Sequence, residues 1–305
     1  VAGEPSGRRR HDPDLVRSVP PAPSSVDLHT HTLRSDGILE PAELVAAAAA
    51  AGVRVLSITD HDSLAAVREL RSADAIPPGL TLIPGVEINA VTRGAYDGPD
   101  GELHILGYGV DPADEAFEAA LASQRDARQI RFERAIGALR ALGLPIDDQV
   151  AALDRGALDS LGRPTIARCL VAAGHATSVD DAFRRLLGRG RPAYVARDGL
   201  DPLEAIAAIR AAGGIASLAH FAEAADHPDV LDELQTGGLV GLEVHYRAFD
   251  AETTERLAEI AAGRGLLATG GSDYHGDTGT YAEHHAALWV PPAVGRTLLE
   301  RLQPR

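Results

Sequence analysis

Short runs rich in Val, Ile and Leu recur along this chain at residues 26–31, 53–59, 80–88, 103–110, 215–220, 239–245 and 266–270. Alanine-rich stretches with helical spacing lie between most of them. Glu40-Pro41 opens residues 41–51 and Asp201-Pro202 opens residues 202–212, since proline in a first helical turn gives up only an N–H that has no partner there. Strand followed by helix, repeated, predicts a parallel sheet, closed most simply as a barrel. With 305 residues, the chain buries such a core without disulfide staples.

The rhythm breaks once. Residues 117–142, 164–173 and 179–187 are helical in period, and Gly143, Gly174 and Gly188 are placed as stops. The expected organisation is a leader at 1–25, a barrel built from 26–112 and 198–305, and a helical insertion at 113–197 that caps the substrate. The leader is rich in Arg, Pro and Ser and has no hydrophobic periodicity.

Charge narrows the partners. All 29 basic residues are arginine, against 44 acidic ones, for a net charge of −15. That field repels duplex DNA and anionic membranes, so neither is an expected partner. An anionic substrate binds only where local cations invert the field. No apolar run is long enough to span a membrane, and Arg8-Arg9-Arg10 is followed by His11-Asp12-Pro13 rather than a signal sequence. A single cysteine, Cys169, excludes an internal disulfide. Together these predict a cytoplasmic protein.

The apolar runs also carry His, Asp or Glu at or near their ends. The first holds His29-x-His31, whose imidazoles at i and i+2 share one face of a strand, with Asp36 in the loop beyond. The second ends in Thr59-Asp60-His61-Asp62 and the third in Gly85-Val86-Glu87; the fourth carries His104. The fifth ends in Ala219-His220, the sixth holds Glu243-Val244-His245, and Gly271-Ser272-Asp273-Tyr274-His275 follows the last. In a parallel barrel the carboxyl ends of all strands open onto one face, where active sites are built. One such motif says little; recurrence at successive strand ends says much more. Imidazole and carboxylate without thiolate suit Zn, Mn or Fe, and a bridging carboxylate between terminal histidines invites two or three divalent ions, which activate water and clamp a phosphoryl oxygen. There is neither a Cys-x5-Arg loop nor a G-x-x-x-x-G-K-[ST] loop, which excludes thiolate phosphatases and P-loop NTPases.

In order and spacing, His29-x-His31, Asp36-Gly37, Thr59-Asp60-His61, Gly85-Val86-Glu87, His104, Ala219-His220 and Gly271-Ser272-Asp273-x-His275 resemble the polymerase and histidinol phosphatase (PHP) family. The resemblance runs from about residue 26 to the C-terminus. It implies an α/β fold, a distorted (β/α)7 TIM-like barrel carrying an inserted α-helical subdomain. Leu161-Gly162-Arg163-Pro164 and Gly190-Arg191-Pro192 in the insertion resemble the nucleotide-acting members, which include phosphatases of 3′,5′-bisphosphonucleotides and 5′-to-3′ exonucleases on short RNA.

Carried over by position, the resemblance implies one metal held by His29, His31, Glu87 and Asp273. A second is implied at Glu87, His104 and His220, and a third at Asp36, His61 and His275. Asp27 and Asp60 are expected to orient the ligating imidazoles.

Arg125, Arg128, Arg131 and Arg134 recur every third residue on one helix. Arg131 and Arg134, with Arg163 behind them, are the expected phosphate contacts, because a guanidinium fork matches phosphate geometry. Asn89 shares a strand face with Glu87 and is expected to reach the substrate. His245 and Tyr246 are expected to contact phosphate or to protonate the leaving oxygen. The implied reaction is hydrolysis of a nucleotide phosphomonoester by a metal-bound hydroxide, foremost removal of the 3′-phosphate from a 3′,5′-bisphosphonucleotide. The alternatives are a 5′-3′ exonuclease on short RNA oligonucleotides, a histidinol-phosphate-type phosphatase and, last, a metal-stabilised module without turnover.

Overall fold

The computed structural model describes residues 24–92, 101–153, 161–276 and 279–303. The expected leader lies outside them, except for Ser24 and Ser25. Among the described residues, seven strands form one sheet in sequence order: β1 (Val26–Asp27), β2 (Val55–Ile58), β3 (Thr81–Val91), β4 (Glu102–Tyr108), β5 (Ile215–Leu218), β6 (Gly241–Tyr246) and β7 (Leu267–Gly271). The sheet closes on itself. Leu28 N–H donates to the Gly270 carbonyl, Asp273 N–H to that of His29, and His31 N–H to that of Tyr274.

The helices of the first barrel half are α1 (Pro41–Ala50) and α2 (Ala65–Ser72); α3 (Glu115–Ala141), α4 (Asp147–Ala151), α5 (Arg163–Ala172) and α6 (Val179–Ala182) follow β4. The second half carries α7 (Pro202–Ala211), α8 (Pro228–Gly237), α9 (Ala251–Arg264), α10 (Tyr281–Ala286) and α11 (Pro292–Leu302). The proline start signals hold: Glu40 N–H donates to Glu43, and Asp201 and Glu204 close a reciprocal cap at α7. Gly143 and Gly174 end their helices in the left-handed region at φ +72 and +74. Gly188 instead ends a π-helical turn at residues 183–187 with φ −68. No helix among the described residues is long and apolar enough to cross a membrane.

The sheet is not wholly parallel, contrary to the pattern expected from strand–helix alternation. β4 runs antiparallel to both β3 and β5. The cause is the connection. Only residues 92–101 separate β3 from β4, whereas a parallel return needs a crossover of about a dozen residues or more. His104 therefore reaches the cluster of strand ends from the amino end of its strand.

Because β4 runs the other way, the chain leaves it at the opposite end of the barrel. The 27-residue α3 spans about 40 Å, enough to climb the barrel wall. Its N-cap Asp114 accepts from Phe117 N–H. Phe117 and Leu121 pack into the barrel's core, while Phe132, Ala135, Ile136 and Leu139 belong to a second apolar cluster with residues of α5 and the π-helical turn. Cys169 is buried in that second cluster.

Candidate active site

Glu87, on β3, is 1% exposed and sits at the centre of the site. Its Oε2 lies 3.2 Å from Nε2 of both His29 and His31 and 3.1 Å from His61 Nδ1. Its Oε1 lies 2.7 Å from His104 Nδ1 and 3.3 Å from His220 Nε2. One carboxylate thus divides five imidazoles between its two oxygens, the arrangement a bridging ligand needs. Asp273 Oδ1 approaches His29 and His31 Nε2 at 3.3 and 3.2 Å, and Asp36 Oδ1 approaches His275 Nε2 at 3.2 Å.

Three overlapping groups could each hold a cation: His29, His31, Glu87 and Asp273; Glu87, His104 and His220; and His31, Asp36, His61 and His275. Thus every residue named from sequence as a ligand lies in one cluster, and His31 joins two groups.

The donors fit divalent ions better than they fit one another. Both ring nitrogens of His31, His61 Nδ1 and Asp36 Oδ1 are buried without a hydrogen-bond partner, at a cost of about 1–3 kcal/mol for each unsatisfied group. His104 Nδ1 and His220 Nε2 face each other at 3.1 Å, and the His31 and His275 rings stack at 4.0 Å.

Protonation compensates where it can. Burial alone would lower the pKa of His29 and His275, but for His29 the carboxylates of Glu243, Asp273 and Glu87 outweigh it, and Asp36 and Asp273 raise His275 to about 10. Against their own burial, Glu87 and Asp36 are held well below the usual carboxylate range, first by His61, and Asp273 first by His29. His61 goes the other way, pushed by burial down to about 3. A cluster that must share protons this way is built for cations.

The expected orienting role of Asp27 and Asp60 needs correction. Asp27 accepts from Ser272 N–H at 2.8 Å and from the Tyr281 hydroxyl at 2.8 Å. Asp60 accepts from Thr32 N–H, the Thr32 hydroxyl and the Ser35 hydroxyl at 2.7, 2.7 and 2.8 Å. Both pin the loops that carry the ligands, and neither makes a described hydrogen bond to one of the ligating imidazoles. The carboxylate that does is Glu243, on β6: its Oε1 lies 3.0 Å from His29 Nδ1 and its Oε2 accepts from His220 N–H at 2.7 Å.

His245 is also displaced from its expected position. Glu243 pairs with Thr269 and His245 with Gly270, leaving Val244 as an extra residue in β6. That bulge reverses the in–out alternation. Tyr246 therefore turns inward, donating its hydroxyl to Asp273 Oδ2 at 2.9 Å. His245 belongs to a separate groove shared with Phe249, Thr254 and Trp289.

Beside the cluster lies a cavity of about 160 Å³, running from Asp36, His61 and His104 to Arg128, Arg131 and Arg163. Asn89 lines it, with Nδ2 2.6 Å from His104 Nε2 and Oδ1 accepting from Arg128 at 2.7 Å. Arg131 donates to Glu102 at 2.5 Å and to the Val195 carbonyl at 2.9 Å, leaving a buried Nη2 without a partner. Burial favours a protonated Glu102, but Arg131 and Arg163 overcome this and hold it at about 2.

Arg134 is exposed and does not line this cavity. Each three-residue step falls about 60° short of a full helical turn, so Arg134 has drifted to the solvent side while Arg128 and Arg131 face in. From sequence Arg128 stands only in the row of arginines and Asp62 only beside His61, and neither is singled out for a contact. Asp62, in the left-handed region at φ +53, accepts from Arg128 Nη2 and Nε at 2.6 and 3.2 Å and from Arg197 Nη2 at 3.1 Å.

A closed seven-stranded barrel whose mouth gathers six imidazoles and three carboxylates defines a class: a barrel protein with a His/Asp/Glu cluster compatible with metal binding. The comparisons give the family. The PHP domain profile matches residues 27–136. The chain is 31% identical over 290 residues to the 3′,5′-nucleoside bisphosphate phosphatase of Chromobacterium violaceum, an alignment covering 92% of this chain and 98% of that one. It is 39% identical over 195 residues to a 5′-3′ exoribonuclease of Haemophilus influenzae, covering 64% and 68%. A solved structure described as a metal-dependent phosphoesterase, from Bifidobacterium adolescentis, matches with a TM-score of 0.77 at 34% identity, over 92% of this chain and 97% of that chain. This chain belongs to the PHP family.

Proposed function

We propose that this protein hydrolyses a phosphomonoester of a nucleotide, and that its substrate is a 3′,5′-bisphosphonucleotide cleaved at the 3′-phosphate. One observation carries the reading: the cation cluster and the arginine cavity share Asp36, His61 and His104. A molecule with two phosphates on one ribose can then place one at the cluster and the other among the arginines.

The three groups built on Glu87, Asp273 and Asp36 would hold two or three ions, Mn, Fe or Zn by the chemistry of their N and O donors. Divalent ions held there supply an activated water at neutral pH and charge neutralisation on phosphoryl oxygens. The chain's own groups do the rest. The unpartnered Nη2 of Arg131 and the Arg163 guanidinium bind the phosphate that stays. Asn89, tied to both His104 and Arg128, spaces the two subsites. The helical segment at 113–197 serves as a cap that keeps water from the arginines. The relative in Chromobacterium violaceum supports this substrate. With one cysteine and no disulfide, the reading places the enzyme in the cytoplasm.

The exoribonuclease relatives favour a second reading in which the same cluster cuts short RNA from its 5′ end. Phosphate release from 3′,5′-bisphosphoadenosine, 5′-mononucleotides and short 5′-phosphorylated RNA, measured with Mn²⁺, separates the two. Release from the bisphosphate alone supports the proposal. Mononucleotides appearing from RNA select the exonuclease, and no turnover of any substrate by metal-loaded protein defeats both.

A further inference from the structure

β6 supplies none of the proposed cation ligands, yet two of its side chains each hold one in place. We infer that Glu243 and Tyr246 are positioning residues of the cation site: Glu243 selects which nitrogen of His29 faces the cations, and Tyr246 restricts Asp273 to a single ligating oxygen. The inference rests on the cation sites proposed above.

Glu243 and His29 are both fully buried. Glu243 Oε2 is committed to the backbone N–H of His220 at 2.7 Å, which leaves Oε1, 3.0 Å from His29 Nδ1, to accept the imidazole proton. With the proton on Nδ1, the lone pair is on Nε2, the atom that faces Glu87 Oε2 and Asp273 Oδ1 at 3.2 and 3.3 Å. A neutral amide cannot do this. Both partners of Glu243 are donors, and a glutamine offers one acceptor and one NH2. His220 N–H is a backbone group, so the amide oxygen stays with it and the NH2 turns to Nδ1. The ring proton then moves to Nε2, where it blocks the cation.

Tyr246 acts on the neighbouring ligand. Its hydroxyl takes Asp273 Oδ2 at 2.9 Å, while Oδ1 faces His29 and His31 at 3.3 and 3.2 Å. Its ring is held edge-on by Phe249, centroids 4.9 Å apart, and against His220 at 5.5 Å. Both roles depend on the bulge at Val244, which lets residues 243 and 246 point inward together. β7 makes room for it with Gly270: a Cβ there would come within 2.4 Å of the His245 carbonyl oxygen.

The test compares wild type, Glu243→Gln and Tyr246→Phe, each loaded with Mn²⁺ and dialysed against graded EDTA. Bound metal per chain is read by elemental analysis, and the His29 tautomer by ¹⁵N NMR of the metal-free protein at a pH high enough to leave that ring neutral. Melting of the metal-free forms serves as the folding control. Glu243→Gln should shift the His29 proton to Nε2 and weaken retention of one ion about 10–100-fold; Tyr246→Phe should weaken it about tenfold, the scale for losing a partner of a metal ligand. Wild-type retention in both variants overturns the inference. If Glu243→Gln does not fold, Tyr246→Phe decides alone, and wild-type retention in it overturns the inference. Wild type that binds no ion removes the cation sites themselves, and the inference with them.

Discussion

Asp62→Asn is the sharpest test of how the helical segment is fastened to the barrel. The carboxylate is fully buried beside His61 and receives guanidinium hydrogen bonds at 2.6, 3.2 and 3.1 Å from Arg128 and Arg197, whose side chains are themselves almost fully buried. Arg125 adds a bond to the Asp62 carbonyl at 2.8 Å. The substitution keeps the volume and removes the charge, leaving two buried guanidinium groups without their counter-ion. Breaking one side of a buried pair costs about 3–5 kcal/mol. Spread over the melting entropy of a chain this long, that is a fall of roughly 5–8 °C in Tm. The assay is calorimetry and urea unfolding of EDTA-treated protein, so that bound metal does not mask the loss. Limited proteolysis should cut the helical segment before the barrel. A loss below about 1 kcal/mol, or full additivity with Arg197→Met in a double-mutant cycle, would refute the claim that Asp62 fastens the two.

Arg131→Met should raise KM for a 3′,5′-bisphosphonucleotide by about 10–100-fold, the range for a hydrogen bond to a charged group, with metal content unchanged; Arg134→Ala, on the solvent side, should leave steady-state kinetics as they are. Glu87→Gln should strip metal, measured by elemental analysis, because Glu87 belongs to two of the three ligand groups. The EDTA-treated protein should lose stability as pH rises from 6.5 to 9. His29, His31 and His275 are raised in the folded state, so their contribution is complete below 6.5 and fades as pH climbs toward the folded value, about 10 for His275. His61, shifted down, is neutral when folded but about half protonated when unfolded at pH 6.5, so it opposes the trend by only about 0.4 kcal/mol, complete by roughly pH 7.5. His275 alone accounts for a loss on the order of 3 kcal/mol. Urea midpoints at several pH values check it, and a flat profile would show that the apo cluster does not hold those protons.

The residues gathered at the barrel mouth were legible because cation chemistry narrows the choice of side chain and a barrel narrows its place, so His29, His31, His61, Glu87, His104, His220, Asp273 and His275 stand out in the text. Three features were not legible, each for its own reason. The direction of β4 leaves no trace in its composition, and only the shortness of residues 92–101 marks it. The bulge at Val244 adds one ordinary apolar residue with no glycine or proline next to it to announce it, so alternation placed His245 inward. The arginines at every third position gave a helix without a phase. That phase is set by Phe117, Leu121 and Gln124, which face the barrel and bring Arg128 and Arg131 round with them.

The antiparallel β4 and the arginine cavity are linked by geometry. A parallel β4 would have delivered the chain to the mouth, with the next helix running down and away from the site. Reversed, β4 releases the chain at the far end, and α3 must climb past the barrel core before it reaches the second apolar cluster. Arg125, Arg128 and Arg131 fall where α3 passes from one core to the other, level with Asp62, Asn89 and Glu102. Gln124 marks the crossing, donating to the Asn89 carbonyl and accepting from Leu200 N–H. In a chain of net charge −15, a cationic wall beside the cluster has to be imported from outside the sheet, and one strand reversal brings it there.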